Sequence, residues 1–132
     1  MKRFSIVSLA ALILVTGCVY YNTYYLAKKY FKEAESTRKK SGMEIQKGGK
    51  NYQKAIEKAS KVLKFHPDSK YVDDALFMIG RSFYHQGEFS KAETKFRELI
   101  ATYPKSEYAE ESIFFLGKTY FWQEDYISAK EV

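Results

Sequence analysis

Cysteine is almost missing. Cys18 stands alone, so no disulfide can form within the chain. Histidine is nearly as scarce. His66 and His85 make no metal-spaced cluster with Cys18, so no metal is expected. A long apolar run is also lacking. Phe4 to Val15 is mostly apolar but short of the roughly 20 residues that a bilayer-spanning helix needs. A phosphate-binding loop would need Gly-x-x-x-x-Gly-Lys-Ser/Thr. Gly42 and Gly48 have the wrong spacing, and Gly49-Lys50-Asn51 lacks the hydroxyl. No Ser-His-Asp set is suggested. The expectation is therefore a protein without cofactor or catalytic site.

Proline is sparse too, but its placement is informative. Pro67 and Pro104 stand 37 residues apart, and the segments that follow them correspond. Ser69 and Tyr71 fall on Ser106 and Tyr108, and Asp73-Asp74 on Glu110-Glu111. Phe77, Ile79-Gly80 and Arg81 fall on Phe114, Leu116-Gly117 and Lys118. Gln86, Phe89 and Ala92 fall on Gln123, Tyr126 and Ala129. Half a unit earlier, Tyr52, Ala55 and Val62 precede Phe89, Ala92 and Leu99 by the same interval. A fixed period of this size marks a repeat architecture.

Leu76, Ile79, Gly80 and Phe83 lie at helical spacing and share one face. After a turn at Gly87, Ala92, Phe96 and Leu99 share one face of a second helix, which Pro104 ends. Gly80 and Ala92 are small where two helices must approach closely. This unit resembles a tetratricopeptide repeat, with Leu76, Ile79, Gly80, Phe83, Ala92, Phe96, Leu99 and Pro104 at its eight signature positions. Ile113, Leu116, Gly117, Tyr120 and Ala129 repeat the motif. The resemblance implies an all-α, right-handed superhelix of antiparallel helix pairs.

Met1-Lys2-Arg3 is a short positive region ahead of the apolar stretch, as in an export signal. Val15-Thr16-Gly17-Cys18 resembles the lipobox of bacterial lipoproteins. It implies cleavage before Cys18, lipidation of its thiol, and anchoring by acyl chains. Loss of Lys2 and Arg3 would lower the formal charge from +6 to +6 − 2 = +4. That modest positive balance suits an anionic surface or acidic partner, and nucleic acid is not expected. The domains expected are a signal peptide at 1–17, an incomplete leading repeat at 18–67, a complete repeat at 68–104, and a partial repeat at 105–132 in a chain that continues further.

Val19 to about Ser36 is expected as an amphipathic helix. Its Tyr20, Tyr21, Tyr24 and Tyr25 either sit at a membrane interface, which suits an apolar ring with a wet hydroxyl, or pack on the next helix pair. Arg38 to Lys50, with Arg38, Lys39, Lys40, Lys47 and Lys50 and three glycines, is expected as a solvated loop. Asn51 to Phe65 is a second-type helix with Tyr52, Ala55, Ile56, Ala59, Val62 and Leu63 inward. Ser69 and Ser106 stand where N-caps belong. The acidic pairs after them suit helix N-termini.

A second stripe runs along the first helix of each repeat. It reads Phe77, Arg81, Tyr84 and His85 in one unit and Phe114, Lys118, Phe121 and Trp122 in the next. First helices build the concave wall of such arrays, and aromatic and arginine side chains are enriched at binding hot spots. These eight residues are the candidate partner-binding set, with Arg81 and Lys118 expected to select an acidic or carboxyl-terminated segment. The alternative is that they are core beneath a neighbouring repeat.

Tyr103-Pro104-Lys105-Ser106-Glu107-Tyr108-Ala109-Glu110-Glu111 and Gly87-Glu88-Phe89-Ser90-Lys91-Ala92 resemble repeats of the BamD-type outer-membrane assembly lipoproteins. They are also similar to the Tol-Pal-associated repeat proteins of the periplasm. The resemblance covers roughly Asn51 to Val132, and such assembly lipoproteins carry more repeats than occur here. It implies a scaffold lipidated at Cys18, anchored in the outer membrane, facing the periplasm and holding protein or peptide partners of the cell envelope.

Overall fold

The computed structural model describes residues 2–47, 49–123 and 132, with side chains from Tyr21 onward. Five helices follow in order: α1 Lys2–Ser41, α2 Lys50–Phe65, α3 Val72–His85, α4 Phe89–Thr102 and α5 Ala109–Trp122. Each packs on its neighbours in sequence, and α1 also touches α3 while α3 touches α5. The odd-numbered helices thus meet along one side. Among the described residues, the fold is all-helical. The expected positions Tyr126 and Ala129 lie outside them.

The central pair α3–α4 forms as its spacing dictates. Leu76, Ile79, Ala92, Phe96 and Leu99 are all buried. At Gly80 a Cβ would stand 2.7 Å from Phe96 Cε1, so only glycine lets the two helices close. Gly87, at φ +77°, turns the chain between them. Its N–H donates to Tyr84 O at 2.9 Å, and Glu88 N–H donates to Phe83 O at 2.9 Å, a Schellman closure that favours glycine. The two proline turns repeat each other. His66 N–H donates to Val62 O at 2.9 Å, and Tyr103 N–H donates to Leu99 O at 2.8 Å. The residue before each proline is thus the last to cap its helix.

In α2, Tyr52, Ala55, Ala59 and Val62 are fully buried, with Ile56 and Leu63 packed partly against the core. Tyr24 in α1 is buried and stacks on Tyr71 with ring centroids 4.1 Å apart. It is a packing residue, whereas Tyr21 and Tyr25 are exposed.

Three expectations need correction. The loop expected at 38–50 is shorter, because α1 continues to Ser41 and stops at Gly42, where φ is +69°. Arg38 is helical for a local reason. Its guanidinium reaches back three residues to Glu35, at 3.1 Å. Lys39 and Lys40 share that last turn, where cations favour the helix dipole. Second, Ser69 and Ser106 are not the N-caps. Tyr71 and Tyr108 hold those positions without side-chain capping bonds. Each serine Oγ instead accepts the N–H two residues on, at 3.1 Å, and fixes the turn before the helix. Third, α1 begins well before Val19.

The acidic pairs do more than suit the dipole. Asp74 is buried and accepts a hydrogen bond from Tyr24, with Lys28 Nζ 3.4 Å away, which ties α3 to α1. Asp73 accepts from Ser106 Oγ at 2.7 Å, which ties α3 to the following turn.

Candidate protein-binding surface

The stripe on α3 is a junction. Phe77, Tyr84 and His85 are all less than 5 % exposed. Phe77 stacks on Tyr108 at 4.9 Å. Tyr84 meets Phe115 edge-on at 5.1 Å, and its hydroxyl accepts from Trp122 Nε1 at 3.0 Å. His85 stacks with Tyr52 at 5.6 Å. The open stripe expected on α3 is therefore corrected to buried core, because α1, α2 and α5 close around it.

Arg81 is held inside the same junction. Its Nη2 donates to Glu35 Oε2 at 2.7 Å and its Nη1 to Glu111 Oε1 at 3.2 Å. The guanidinium lies over the Phe115 ring at 4.6 Å and also faces Phe31 and Phe77. Arg81 Nε is buried without a hydrogen-bond partner among the described residues.

Glu35 is the centre of the network. Tyr52 donates to it at 2.5 Å, and Arg38 and Arg81 both pair with it. Burial alone would raise its pKa. The bonds from Arg38 and Tyr52 and the charge of Arg81 outweigh that and hold it below the usual carboxylate range.

Glu44, in the loop after α1, is a second anionic centre. It accepts from Tyr84 Oη at 3.0 Å and from Lys118, and Arg38 Nη1 is 3.8 Å away. Burial opposes its ionisation, but the bonds from Lys118 and Tyr84 prevail and lower its pKa. The loop backbone is fixed as well, because Gln46 N–H donates to His85 O at 2.5 Å.

His85 Nδ1 lies 2.9 Å from Glu44 O. A carbonyl can only accept, so Nδ1 carries the proton and Nε2 is a lone pair. Burial lowers the His85 pKa to about 4, despite the opposing pull of Glu44 O and Glu35. The 3.4 Å approach of Nε2 to Glu35 is therefore no ion pair at neutral pH.

Arg81 and Lys118 are thus answered by carboxylates of their own chain. The expected selection of an acidic segment has no unpaired cation behind it at these two positions.

The corresponding stripe on α5 is different. Phe114 is 61 % exposed, Phe121 58 % and Trp122 46 %. Positions 114, 118, 121 and 122 share one helix face. Lys118 lies over the Phe114 ring at 5.6 Å, and Trp122 stacks on Phe89 at 5.9 Å with its plane nearly parallel. Phe114, Phe121 and Trp122 thus leave an exposed aromatic face on α5.

Residues 74–106 match the tetratricopeptide repeat family. The match covers most of α3, all of α4 and the turn that ends at Ser106. A repeat of this kind suggests a protein–protein interaction scaffold. No curated protein matches the chain.

Around this repeat, the stripe residues divide by burial. Phe77, Arg81, Tyr84 and His85 join the repeat to its neighbours, whereas Phe114, Phe121 and Trp122 face outward. The sequence reading missed Glu35, Arg38, Glu44 and Tyr52 as polar partners of this face. Glu35 alone left a trace, as an acid three residues before a basic run on a helix. No cluster of three or more His, Cys, Asp or Glu suited to a metal occurs among the described residues. No described helix is long and apolar enough to cross a membrane.

Proposed function

We propose that the protein is an outer-membrane-anchored, periplasm-facing scaffold lipoprotein that binds protein partners through its repeats, in outer-membrane protein assembly. The observation that carries the binding role is the outward aromatic face of α5 beside a tetratricopeptide repeat. Burying one such side chain contributes roughly 1.5–3 kcal/mol, so three of them supply an anchor for a polypeptide partner. The lipobox-like Val15-Thr16-Gly17-Cys18 supports the anchoring. Val19 after that cysteine supports sorting to the outer membrane, since an aspartate there would often signal inner-membrane retention.

The test is photocrosslinking in intact cells, with the crosslinker in place of Phe121. Capture of proteins of the barrel-assembly machinery supports the reading. Capture of cell-wall, secretion or Tol-Pal components would transfer the same face to envelope maintenance. Cys18→Ser tests the anchor separately, and it should leave an unprocessed precursor. Normally processed, membrane-bound protein from that variant would remove the lipoprotein half.

A further inference from the structure

The outer face of α1 carries a feature that the partner-binding reading leaves unused. Tyr21, Tyr25, Lys29, Lys32, Ser36, Lys39 and Lys40 are exposed. At 100° per residue they fall in one fan of the helix surface. The opposite side of the helix holds the buried Tyr24, Ala27 and Ala34. One face of α1 therefore meets the other helices and the other is tyrosine and lysine.

Several basic residues on α2 and α4 are answered by carboxylates, and the lysines of this fan are not. On α2, Lys58 and Lys61 pair with Glu57. On α4, Lys91, Lys95 and Arg97 pair with Glu88, Glu98 and Glu93. Among the described residues, Lys29, Lys32, Lys39 and Lys40 form no ion pair. Helix α1 contains two acids. Glu35 is turned inward to Arg38 and Arg81, and Glu33 lies at the edge of the fan near Asn51 Nδ2, at 3.5 Å. The fan is a field of one sign.

The tyrosines lie at the end of the fan nearer the apolar stretch Phe4 to Val15. Tyr21 and Tyr25 are 61 % and 55 % exposed. An exposed tyrosine suits the level where apolar and wet regions meet. Lysines beside it suit an anionic lipid surface, where each changes binding by about fivefold.

We infer that α1 lies along an anionic phospholipid surface, with Tyr21 and Tyr25 at the headgroup level and Lys29, Lys32, Lys39 and Lys40 against lipid phosphates. The orientation follows from distance. Tyr21 to Lys40 spans about 28 Å at 1.5 Å per residue. Attraction between exposed charges fades over roughly 8 Å at physiological salt. A helix standing upright would leave Lys39 and Lys40 out of reach, so all four lysines act only if α1 lies flat. The repeats then sit on the side of α1 away from the membrane. This rests on the anchoring proposed above.

The test uses the full lipidated chain, purified from envelopes in detergent and reconstituted into vesicles. Asn22→Cys and Ser36→Cys variants carry a fluorophore, and the vesicles carry a headgroup quencher. In phosphatidylglycerol vesicles both labels should be quenched. In phosphatidylcholine vesicles, or in phosphatidylglycerol at high salt, the Ser36 label should lose its quenching while the Asn22 label keeps it. The triple variant Lys29→Glu, Lys32→Glu, Lys39→Glu should release the Ser36 label, and the matching arginine variant should not. Far-UV circular dichroism verifies that each variant is folded. A quenched Asn22 label with Ser36 unquenched in every vesicle would overturn the flat orientation and leave the anchor standing. Neither label quenched would overturn the anchor as well. Equal quenching of Ser36 in both lipids would overturn the role of the lysines.

Discussion

Gly80 and Phe96 are in contact across the α3–α4 crossing, and Phe96 fills the space a side chain at Gly80 would take. A Cβ at Gly80 would lie 2.7 Å from Cε1, 2.9 Å from Cδ1 and 3.1 Å from Cζ of that ring. Phe96 is fully buried, so the ring has no open space to retreat into. Gly80→Ala should therefore destabilise the fold by about 1–3 kcal/mol, and Gly80→Leu by more. Urea unfolding measures both. Adding Phe96→Leu to Gly80→Ala should recover part of the loss, which a double-mutant cycle would show as coupling between the two positions. Additive losses would mean the contact is not what makes glycine necessary.

Glu35 should matter more to stability than any acid outside this junction. Its carboxylate is mostly buried and answers Arg38, Arg81 and the Tyr52 hydroxyl together. Glu35→Gln leaves Arg81 with Glu111 alone, and Glu111 is solvent-exposed. The expected cost is about 3 kcal/mol, the lower end for a broken buried pair because Glu111 remains. Arg81→Met in the Glu35→Gln background should restore part of it, since the uncompensated charge is then gone. Thermal melts of the two single variants and the double variant decide the point.

Acid should unfold the protein sooner than its carboxylates alone would dictate. In the unfolded chain His85 titrates near 6.5, and in the fold burial lowers it to about 4. Above pH 6.5 both states are neutral and His85 contributes no pH dependence. As pH falls below that, the unfolded chain takes up the proton first, so stability is lost between about pH 6.5 and pH 4. The loss from this group levels off below, at about 3 kcal/mol. Glu35 and Glu44, both held below their ordinary range, add loss in the same direction at lower pH. The check is the urea midpoint from pH 7.5 to 4.5. His85→Gln, which keeps a donor for Glu44 O, should flatten the upper part of that limb. An unchanged limb would place the titration elsewhere.

The parts of this fold that were legible in the sequence are those that depend on local spacing. Leu76, Ile79, Gly80, Phe83, Ala92, Phe96 and Leu99 recur at helical intervals, and Pro67 and Pro104 mark the period, so spacing alone specifies α3 and α4. The serines were misassigned by two residues, because the same hydroxyl that can cap a helix can also close the turn before it. The junction was not legible. Glu35 and Glu44 have no counterparts in the repeat, and they reach Arg81, Tyr84 and Lys118 only through the packing of α1 and its loop against α3 and α5. Repeat symmetry gave Tyr84 and Phe121 the same standing, yet the fold encloses one and exposes the other.

That difference yields the last prediction. Tyr84 is fully buried, bonds to Glu44 and Trp122, and touches Phe89 and Phe115. Tyr84→Ala should cost about 3–5 kcal/mol, as for a large aromatic side chain removed from a core, and any loss of partner capture would follow from unfolding. Phe114 and Phe121 are mostly exposed, so Phe114→Ser with Phe121→Ser should change stability by no more than about 0.5 kcal/mol. If α5 is the binding face, that double variant, with the crosslinker moved to the exposed Glu110 one turn before Phe114, should nevertheless lose crosslinked partner in cells, although it melts as the parent does. Trp122→Phe gives an intermediate case, since it removes the indole donor to Tyr84 while keeping a ring over Phe89. The comparison reads melting temperature and crosslink yield on the same samples. A serine double variant that melts normally and captures partner at the parent's level would show that the exposed aromatic face of α5 is not where partners bind.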